Sequence, residues 1–242
     1  MGKKGGRNRL KRLAAPRSWD IRRKGPRFVF KPAPGPHPIA ASYPLGVVVR
    51  DLASLATLSK ELKFLVKTGK VLVDGKERRT PSFPVGLFNL VRVPLEGANF
   101  RLVPSPKGLV LTKVESDEAN RKLCSVHTKT KVSGGHIQYG LHDGRSIVDD
   151  ALDLAPGDAV LLEVPSQKVL GHAKLEKGSL GLVLTGERAG QLGIIADVKK
   201  GTISREKMVK ISLPSGDAEI PSRLVFPVGT DQPMITVGAA VR

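Results

Sequence analysis

Few residues in this sequence have the types and spacing that catalysis or metal binding requires. The chain has one cysteine, Cys124, and five histidines: His37, His127, His136, His142 and His172. No second metal-type ligand stands at a zinc-like spacing from any of them, and a single cysteine cannot complete a cluster or an internal disulfide. The sequence also lacks the motifs G-x-x-x-x-G-K-[ST], G-x-G-x-x-G and G-x-S-x-G. We therefore predict no catalytic residues, no structural metal and no cofactor.

Two weaker candidates for chemistry have ordinary structural explanations beside the chemical ones. Cys124 has leucine and valine neighbours, which suit a small buried hydrophobe better than a nucleophile. Asp149, Asp150 and Asp153 share one polar loop, where they either are solvated or hold a hard cation. With no catalytic constellation, a binding role is the default expectation.

The charge balance indicates what is bound. The 242 residues include 40 Lys and Arg against 22 Asp and Glu, a net charge of +18. An excess of this size favours a polyanion, either nucleic acid or an anionic membrane. No apolar run approaches the roughly 18 residues that a membrane span needs, and no apolar signal stretch follows the basic amino terminus. We expect a soluble, cytoplasmic protein with no small-molecule substrate.

The positive charge is concentrated at the amino terminus, where residues 1–31 contain a single acid, Asp20. Their cations are Lys3, Lys4, Arg7, Arg9, Lys11, Arg12, Arg17, Arg22, Arg23, Lys24, Arg27 and Lys31. Such a segment repels itself and is expected to be disordered until it meets a polyanion. Trp19 and Phe28 interrupt it, and each either docks on the protein or stacks on a base. Alternating prolines over 32–38 predict an extended spacer.

A second basic region surrounds a predicted helix over 57–67, which Thr57 caps. Its apolar residues recur at helical spacing, namely Leu58, Leu62, Leu65 and Val66, and its basic residues fall on nearly the opposite side, namely Lys60, Lys63 and Lys67. Asp74-Gly75 then predicts a tight hairpin, because both central turn positions need φ > 0. Lys70, Lys76, Arg78 and Arg79 extend the positive charge into that hairpin. The charges are either merely solvated or form one cationic surface for phosphate.

The rest of the chain reads as short strands. Residues 50–56 predict a first helix before the basic one, and strands are predicted over 83–93 and 99–105. Residues 108–172 read as antiparallel β structure, and 173–242 as a small barrel of short strands with glycine turns. In that last part Gly186, Arg188 and Gly190 form a loop that either approaches a phosphate or only serves the turn.

The motifs "LKRLAAP", "PGPH", "KVLVDGKER", "FPVG", "NFRL", "LHDGRSI" and "TGERAGQLGII" occur here in this order. They resemble, over nearly the whole chain, the archaeal and eukaryotic small-subunit ribosomal protein four of the e-type. The helix and hairpin are similar to the RNA-binding module of bacterial small-subunit protein four, tyrosyl-tRNA synthetases and pseudouridine synthases. The carboxy-terminal part resembles a KOW motif on an SH3-like barrel.

The resemblance implies an α+β, multi-domain protein that is not an enzyme. Its parts would be a basic extension and linker (1–42), an RNA-binding module of two helices plus a hairpin (43–107), a central antiparallel β domain (108–172) and an SH3-like KOW barrel (173–242). It implies a structural constituent of the small ribosomal subunit, with small-subunit rRNA and neighbouring ribosomal proteins as partners. By position, the basic residues of the module would face rRNA, and Gly186, Arg188 and Gly190 would form the KOW loop. The charge pattern adds Trp19 and the amino-terminal cations up to Arg27 to the predicted RNA contacts. Two alternatives stay open: an accessory of an RNA-modifying enzyme and a KOW-type transcription factor.

Overall fold

The computed structural model describes residues 9–202 and 205–238, which form mostly antiparallel β structure with few helices. Predictions for Lys3, Lys4 and Arg7 lie outside the described residues. Short 3-10 turns join several strands, at Arg12–Ala14, Ile39–Ala41, Pro94–Glu96, Ser116–Glu118 and Ser222–Leu224.

The first part of the chain contains both helices and three sheets around one core. Its strands are β1 (Leu10–Lys11), β2 (Phe28–Val29), β3 (Ser42–Pro44), β4 (Leu72–Val73), β5 (Lys76–Glu77), β6 (Pro84–Gly86), β7 (Leu90–Val93), β8 (Ala98–Ser105) and β9 (Gly108–Lys113). Its helices are α1 (Leu45–Val47), which continues into a π-helical turn (Val48–Leu52), and α2 (Ser59–Lys67). The strands pair as β1-β2, β3-β6 and β5-β4-β7-β8-β9. Since β8 and β9 pair from Phe100↔Lys113 to Ser105↔Gly108, the predicted division at residue 107 falls in the turn of a hairpin.

Residues 9–31 are part of this core, which corrects the expectation of disorder for this stretch; the same expectation for residues 1–8 lies outside the described residues. Trp19, Ile21 and Val29 are buried beside Tyr43 and Leu45. The Trp19 ring stacks on the Tyr43 ring at a centroid distance of 5.6 Å. The Tyr43 hydroxyl donates to the Ser18 carbonyl and accepts from the Asp20 backbone N–H. Apolar side chains between the basic residues thus provide the burial that the charge pattern alone did not predict.

The two helices also differ from their predicted positions. The first begins at Leu45 rather than at residue 50, because Leu45, Val47, Val48 and Val49 are completely buried and tertiary packing outweighs propensity. The second begins at Ser59, and Leu58 at its start is exposed instead of facing the core.

The central sheet has the order β12-β11-β10-β13-β14 and is antiparallel throughout. Its strands are β10 (Arg121–Lys131), β11 (Ile137–Leu141), β12 (Ser146–Val148), β13 (Ala159–Glu163) and β14 (Val169–Ala173). Cys124 is fully buried in this sheet, and burial raises the pKa of its thiol to about 12, which fits a buried hydrophobe.

A third sheet, with the order β18-β17-β16-β15-β19, follows. Its strands are β15 (Leu180–Val183), β16 (Leu192–Lys199), β17 (Met208–Leu213), β18 (Gly216–Pro221) and β19 (Val225–Gly229). A shared apolar cluster joins the three parts of the chain: Phe88 from the first, Leu123 from the second, and Leu182 and Phe226 from the third. The Phe88 and Phe226 rings meet edge to face at 5.0 Å.

A buried charge network also connects the first part to the central sheet. Lys122 of β10 has no solvent exposure, and its Nζ donates to Asp74 Oδ2 at 2.8 Å and to Asp143 Oδ2 at 2.7 Å. Arg145 also contacts both carboxylates, and Asn89 Nδ2 donates to Asp74 Oδ2 at 2.6 Å. Asp74 forms the predicted β4–β5 turn and Asp143 forms the turn between β11 and β12, so two Asp-Gly turns meet on one lysine.

The network favours the charged forms of Lys122 and Asp143. Burial acts to lower the pKa of Lys122, but the carboxylates of Asp74 and Asp143 outweigh it and the pKa is raised. Burial acts to raise the pKa of Asp143, but Lys122 and Arg145 outweigh it and bring that pKa to about 2.

We expect Lys122→Met to lower the free energy of unfolding by about 3–5 kcal/mol, because it leaves buried carboxylates without their main counter-charge. Lys129→Met on the same strand is the matched control, since Lys129 pairs with an exposed Asp153 and its loss should cost far less stability. Urea denaturation of both variants measures the difference, and equal costs would contradict a stabilising role for the network.

The stability should also decrease in weak acid. Burial holds the pKa of His142 at about 3 and lowers the pKa of the neighbouring His37, both from an ordinary value of 6.5. The unfolded chain therefore binds protons at these two rings as the pH falls below 6.5, while the folded chain binds them only at a lower pH. The free energy of unfolding should fall over this range by up to about 1.4 kcal/mol per pH unit for each ring.

Denaturant titrations at pH 7, 5.5 and 4.5 measure this slope. His142→Gln should remove one ring's share of it, because glutamine does not titrate. A wild-type stability that is constant from pH 7 to 4.5 would rule out the titration of these two rings.

Candidate nucleic-acid interface

Most of the described cations of the amino-terminal segment are exposed, namely Arg9, Lys11, Arg17, Arg22, Arg23, Lys24 and Arg27. Arg12 and Trp19 are buried, with 6% and 4% of their surface exposed. Their burial conflicts with the prediction that these two residues contact RNA, because their side chains lie inside the protein.

Arg12 instead holds the basic loop 22–27 in place. Its Nε donates to the Pro26 carbonyl at 2.9 Å and its Nη1 to the Arg22 carbonyl at 2.8 Å, while its backbone N–H donates to the Arg27 carbonyl. The loop carries Arg22, Arg23, Lys24 and Arg27 on its outside. A buried cation thus fixes the loop that presents four exposed ones.

The basic loop faces the start of α2 across an open groove of about 760 Å³. Arg22 and Lys24 line one side, and Thr57, Leu58 and Ser59 line the other. The first turn of α2 has its own acidic partner, because Glu61 Oε2 accepts from the backbone N–H groups of Thr57 and Leu58. Glu61, not Thr57, therefore caps the helix.

The lysines of α2 lie where the periodicity predicted them. Leu62 and Val66 are completely buried, and Lys60, Lys63 and Lys67 are exposed. At about 100° per residue, Lys60 and Lys67 lie almost opposite the buried pair.

The end of α2 is rigidly joined to the hairpin. The backbone N–H groups of Gly69 and Lys70 donate to the carbonyls of Val66 and Leu65, which is a Schellman motif with Gly69 in the left-handed region. A Cβ at Gly69 would lie 2.7 Å from the Glu77 carboxylate of β5, so helix and hairpin touch closely. The cations on both elements therefore keep a fixed relative position.

The hairpin cations have different surroundings. Lys76 and Arg79 are exposed, and Arg79 pairs with Glu77 at 3.2 Å. The Arg78 guanidinium lies 4.2 Å above the centre of the Phe83 ring and is partly buried. Arg78 thus supports the hairpin by packing as well as by charge.

The two glycines of the predicted loop between β15 and β16 have different surroundings. Gly186 is exposed at φ 95° with open space around it, and Arg188 Nη1 donates to the Asp217 carbonyl. A Cβ at Gly190 would lie 2.6 Å from the Pro104 carbonyl oxygen, so Gly190 allows the loop to pack on β8. A groove of about 540 Å³ separates Gly186 from Arg17 and Lys107.

Sequence reasoning missed Lys107 beside the glycine loop and one exposed aromatic, Phe64. Phe28, for which docking and stacking were both open, is exposed. The helical spacing could have revealed Phe64, because position 64 falls between positions 60 and 67 on the cationic side of α2. Within the described residues no cluster of His, Cys, Asp and Glu is arranged to hold a metal ion. None of the helices described is long and apolar enough to cross a bilayer.

Comparison with known proteins gives consistent matches along the chain. The model of the ribosomal family S4e matches residues 96–169, and that of the RS4NT (NUC023) domain matches residues 4–40. The small ribosomal subunit protein eS4 of Ignicoccus hospitalis is 36% identical over 242 residues, which cover 96% of this chain and 95% of that protein. The eS4 protein of Korarchaeum cryptofilum is 42% identical over 84% of this chain and 86% of its own length.

A solved structure agrees with these sequence matches. The crystal structure of the 30S ribosomal protein S4e from Thermoplasma acidophilum superposes with a TM-score of 0.67 at 26% identity, covering 79% of this chain and 95% of that one. The order of the motifs, the antiparallel sheets and the nearly full-length relatives all indicate the same family. The chain belongs to the eS4 family of small ribosomal subunit proteins.

Proposed function

We propose that the chain binds folded rRNA through a cationic surface made of the loop 22–27, the exposed face of α2 and the β4–β5 hairpin. Membership of the eS4 family makes the chain a structural constituent of the small subunit of the cytoplasmic ribosome, not an enzyme, with rRNA and other ribosomal proteins as its partners. Family membership also argues against the two alternatives, an accessory of an RNA-modifying enzyme and a KOW-type transcription factor. The surface itself is the part that we propose.

The exposed lysines of α2 are the observation that carries this proposal. Lys60 and Lys67 lie nearly opposite the buried face of a short helix, and Lys63 is exposed at its side. The two ends of the helix are fixed, one by Glu61 and the other by the Schellman motif at Gly69. A fixed row of cations suits the phosphates of a folded RNA, where recognition depends on shape and backbone. Lys76 and Arg79 continue the row, and Arg22 and Lys24 lie across the groove.

The surface omits some of the predicted RNA contacts. Arg12 and Trp19 are buried, and Gly190 packs on β8. A separate groove is lined by Gly186, Arg17 and Lys107. We propose this groove as a secondary RNA contact, because its two cations complement phosphate.

We further propose that the third sheet is the SH3-like KOW unit and that the divisions near residues 42 and 172 mark domain limits. Five short antiparallel strands support the SH3-like assignment. The register shift between Ile195 and Asp197 bends β16, as the strand of a small barrel must bend.

Replacing Lys60, Lys63 and Lys67 together by glutamine tests the surface. Glutamine keeps a good helix propensity and avoids a row of like charges beside Glu61. If each lysine contacts one phosphate, the slope of log Kd against log salt for small-subunit rRNA should decrease by about two to three, and Kd near 0.1 M salt should rise about 100- to 500-fold.

The matched control replaces Lys177, Lys200 and Lys210 by glutamine, which removes the same charge from exposed positions in the last part of the chain. The control should keep nearly the wild-type slope. If both triple variants lose the same affinity, the net charge of the chain and not the α2 surface determines binding. Circular dichroism of all variants verifies that the fold is intact.

A further inference from the structure

Phe64 occupies the middle of the cationic face of α2. Its side chain is 61% exposed, although the helix buries Leu62 and Val66, two positions away on either side. Lys60 lies one turn before Phe64 and Lys67 one turn after it, on the same side of the helix. The core therefore does not require an aromatic residue at position 64.

The surroundings of the ring are cationic. Lys70 Nζ lies 5.6 Å from the centroid of the Phe64 ring, within the range of a cation–π contact. The exposed large hydrophobic side chains in the described part of the chain comprise two phenylalanines and seven aliphatic residues. Phe28, the other aromatic, lies under the guanidinium groups of Arg9 and Arg27.

An exposed ring with flanking lysines matches the chemistry of a nucleotide. Each base has a π face that can stack on an aromatic side chain, and each phosphate attracts a cation. A ring on a fixed helix also loses little conformational freedom on binding, because phenylalanine has only two side-chain torsions. A second protein could cover an exposed phenylalanine, but the lysines around this one favour a polyanion over an apolar protein surface.

We propose that Phe64 stacks on an unpaired base of the small-subunit rRNA, while Lys60 and Lys67 contact phosphates on either side of that base. This inference rests on the proposed function, since it places a base contact within the proposed phosphate-binding surface. The stacking contact would add affinity without adding to the salt dependence.

Two variants test the proposal in the full-length chain, with a transcript of the small-subunit rRNA as the probe. Phe64→Ala should raise Kd about 5- to 150-fold, and the slope of log Kd against log salt should stay unchanged. In Phe64→Trp, stacking on a base should quench the fluorescence of the introduced ring. The chain has a single native tryptophan, the buried Trp19, so a wild-type titration gives the background.

Leu95 supplies the matched controls, because it is 63% exposed and lies outside the cationic surface, in the Pro94–Glu96 turn. Leu95→Ala should bind as the wild type does, and Leu95→Trp should not be quenched by the transcript.

The outcomes separate the possible explanations. Wild-type affinity in Phe64→Ala with no quenching in Phe64→Trp would overturn the stacking contact. A reduced salt slope in Phe64→Ala would also overturn it, since the loss would then be ionic. Normal binding of the transcript combined with failed incorporation into subunits would assign Phe64 to a protein neighbour instead. If wild-type protein shows no salt-dependent binding, the proposed function itself fails.

Discussion

The position of the cationic surface depends on the lysine that is buried between two Asp-Gly turns. Lys122 has no contact with solvent, and each charge removed from water in this way costs several kcal/mol unless partners satisfy it. Asp74 and Asp143 satisfy it, and Arg145 and Asn89 occupy further lone pairs of the same carboxylates. Asp74 Oδ1 also accepts from the Leu90 backbone N–H, which links the turn to the neighbouring strand β7. Because the β4–β5 turn is one corner of the network, the hairpin and α2 have a fixed orientation relative to the central sheet.

Not all of the positive charge faces outward, and several cations connect parts of the chain. Arg12 binds the loop 22–27 from inside. Arg101, with no solvent exposure, pairs with Glu118 at 2.8 Å and donates to the carbonyls of Arg121 and Thr236. Glu118 accepts in turn from the Thr236 backbone and hydroxyl, so this cluster attaches the end of the described chain to the central sheet. The net charge of +18 therefore overstates the charge available for RNA.

Local patterns in the sequence predicted what depends on local geometry. Asp74-Gly75 predicted a hairpin, and both residues have the positive φ that the turn needs. The exposed side of α2 also follows directly from the spacing of its lysines. The partners of Asp74 could not be predicted, because Lys122 and Arg145 lie 48 and 71 positions away in the sequence. A turn residue that is also a buried counter-ion looks the same in the sequence as one that is only a turn residue.

The errors in prediction have the same origin in long-range packing. A charge count predicted disorder up to residue 31, but Trp19 gains a stacking partner in Tyr43, and Arg12 gains three backbone contacts with its loop. The first helix begins at Leu45 because its four apolar residues reach the core, which a local propensity reading of 50–56 does not detect.

The buried anchors have a consequence for binding. A basic segment that orders only on RNA must lose backbone and side-chain freedom at that moment, which reduces its net affinity. Here folding has already ordered the loop 22–27 through Arg12, and the hairpin through Asp74 and Gly69. Phosphate binding by the cations on these elements would then cost less conformational entropy than binding by the same residues on a free tail. A ring at position 64 would benefit for the same reason, since a ring on a fixed helix loses little freedom when a base stacks on it. The stability of the buried network and the affinity of the exposed surface are therefore coupled through the hairpin, and a loss of the first should weaken the second even when every surface lysine is intact.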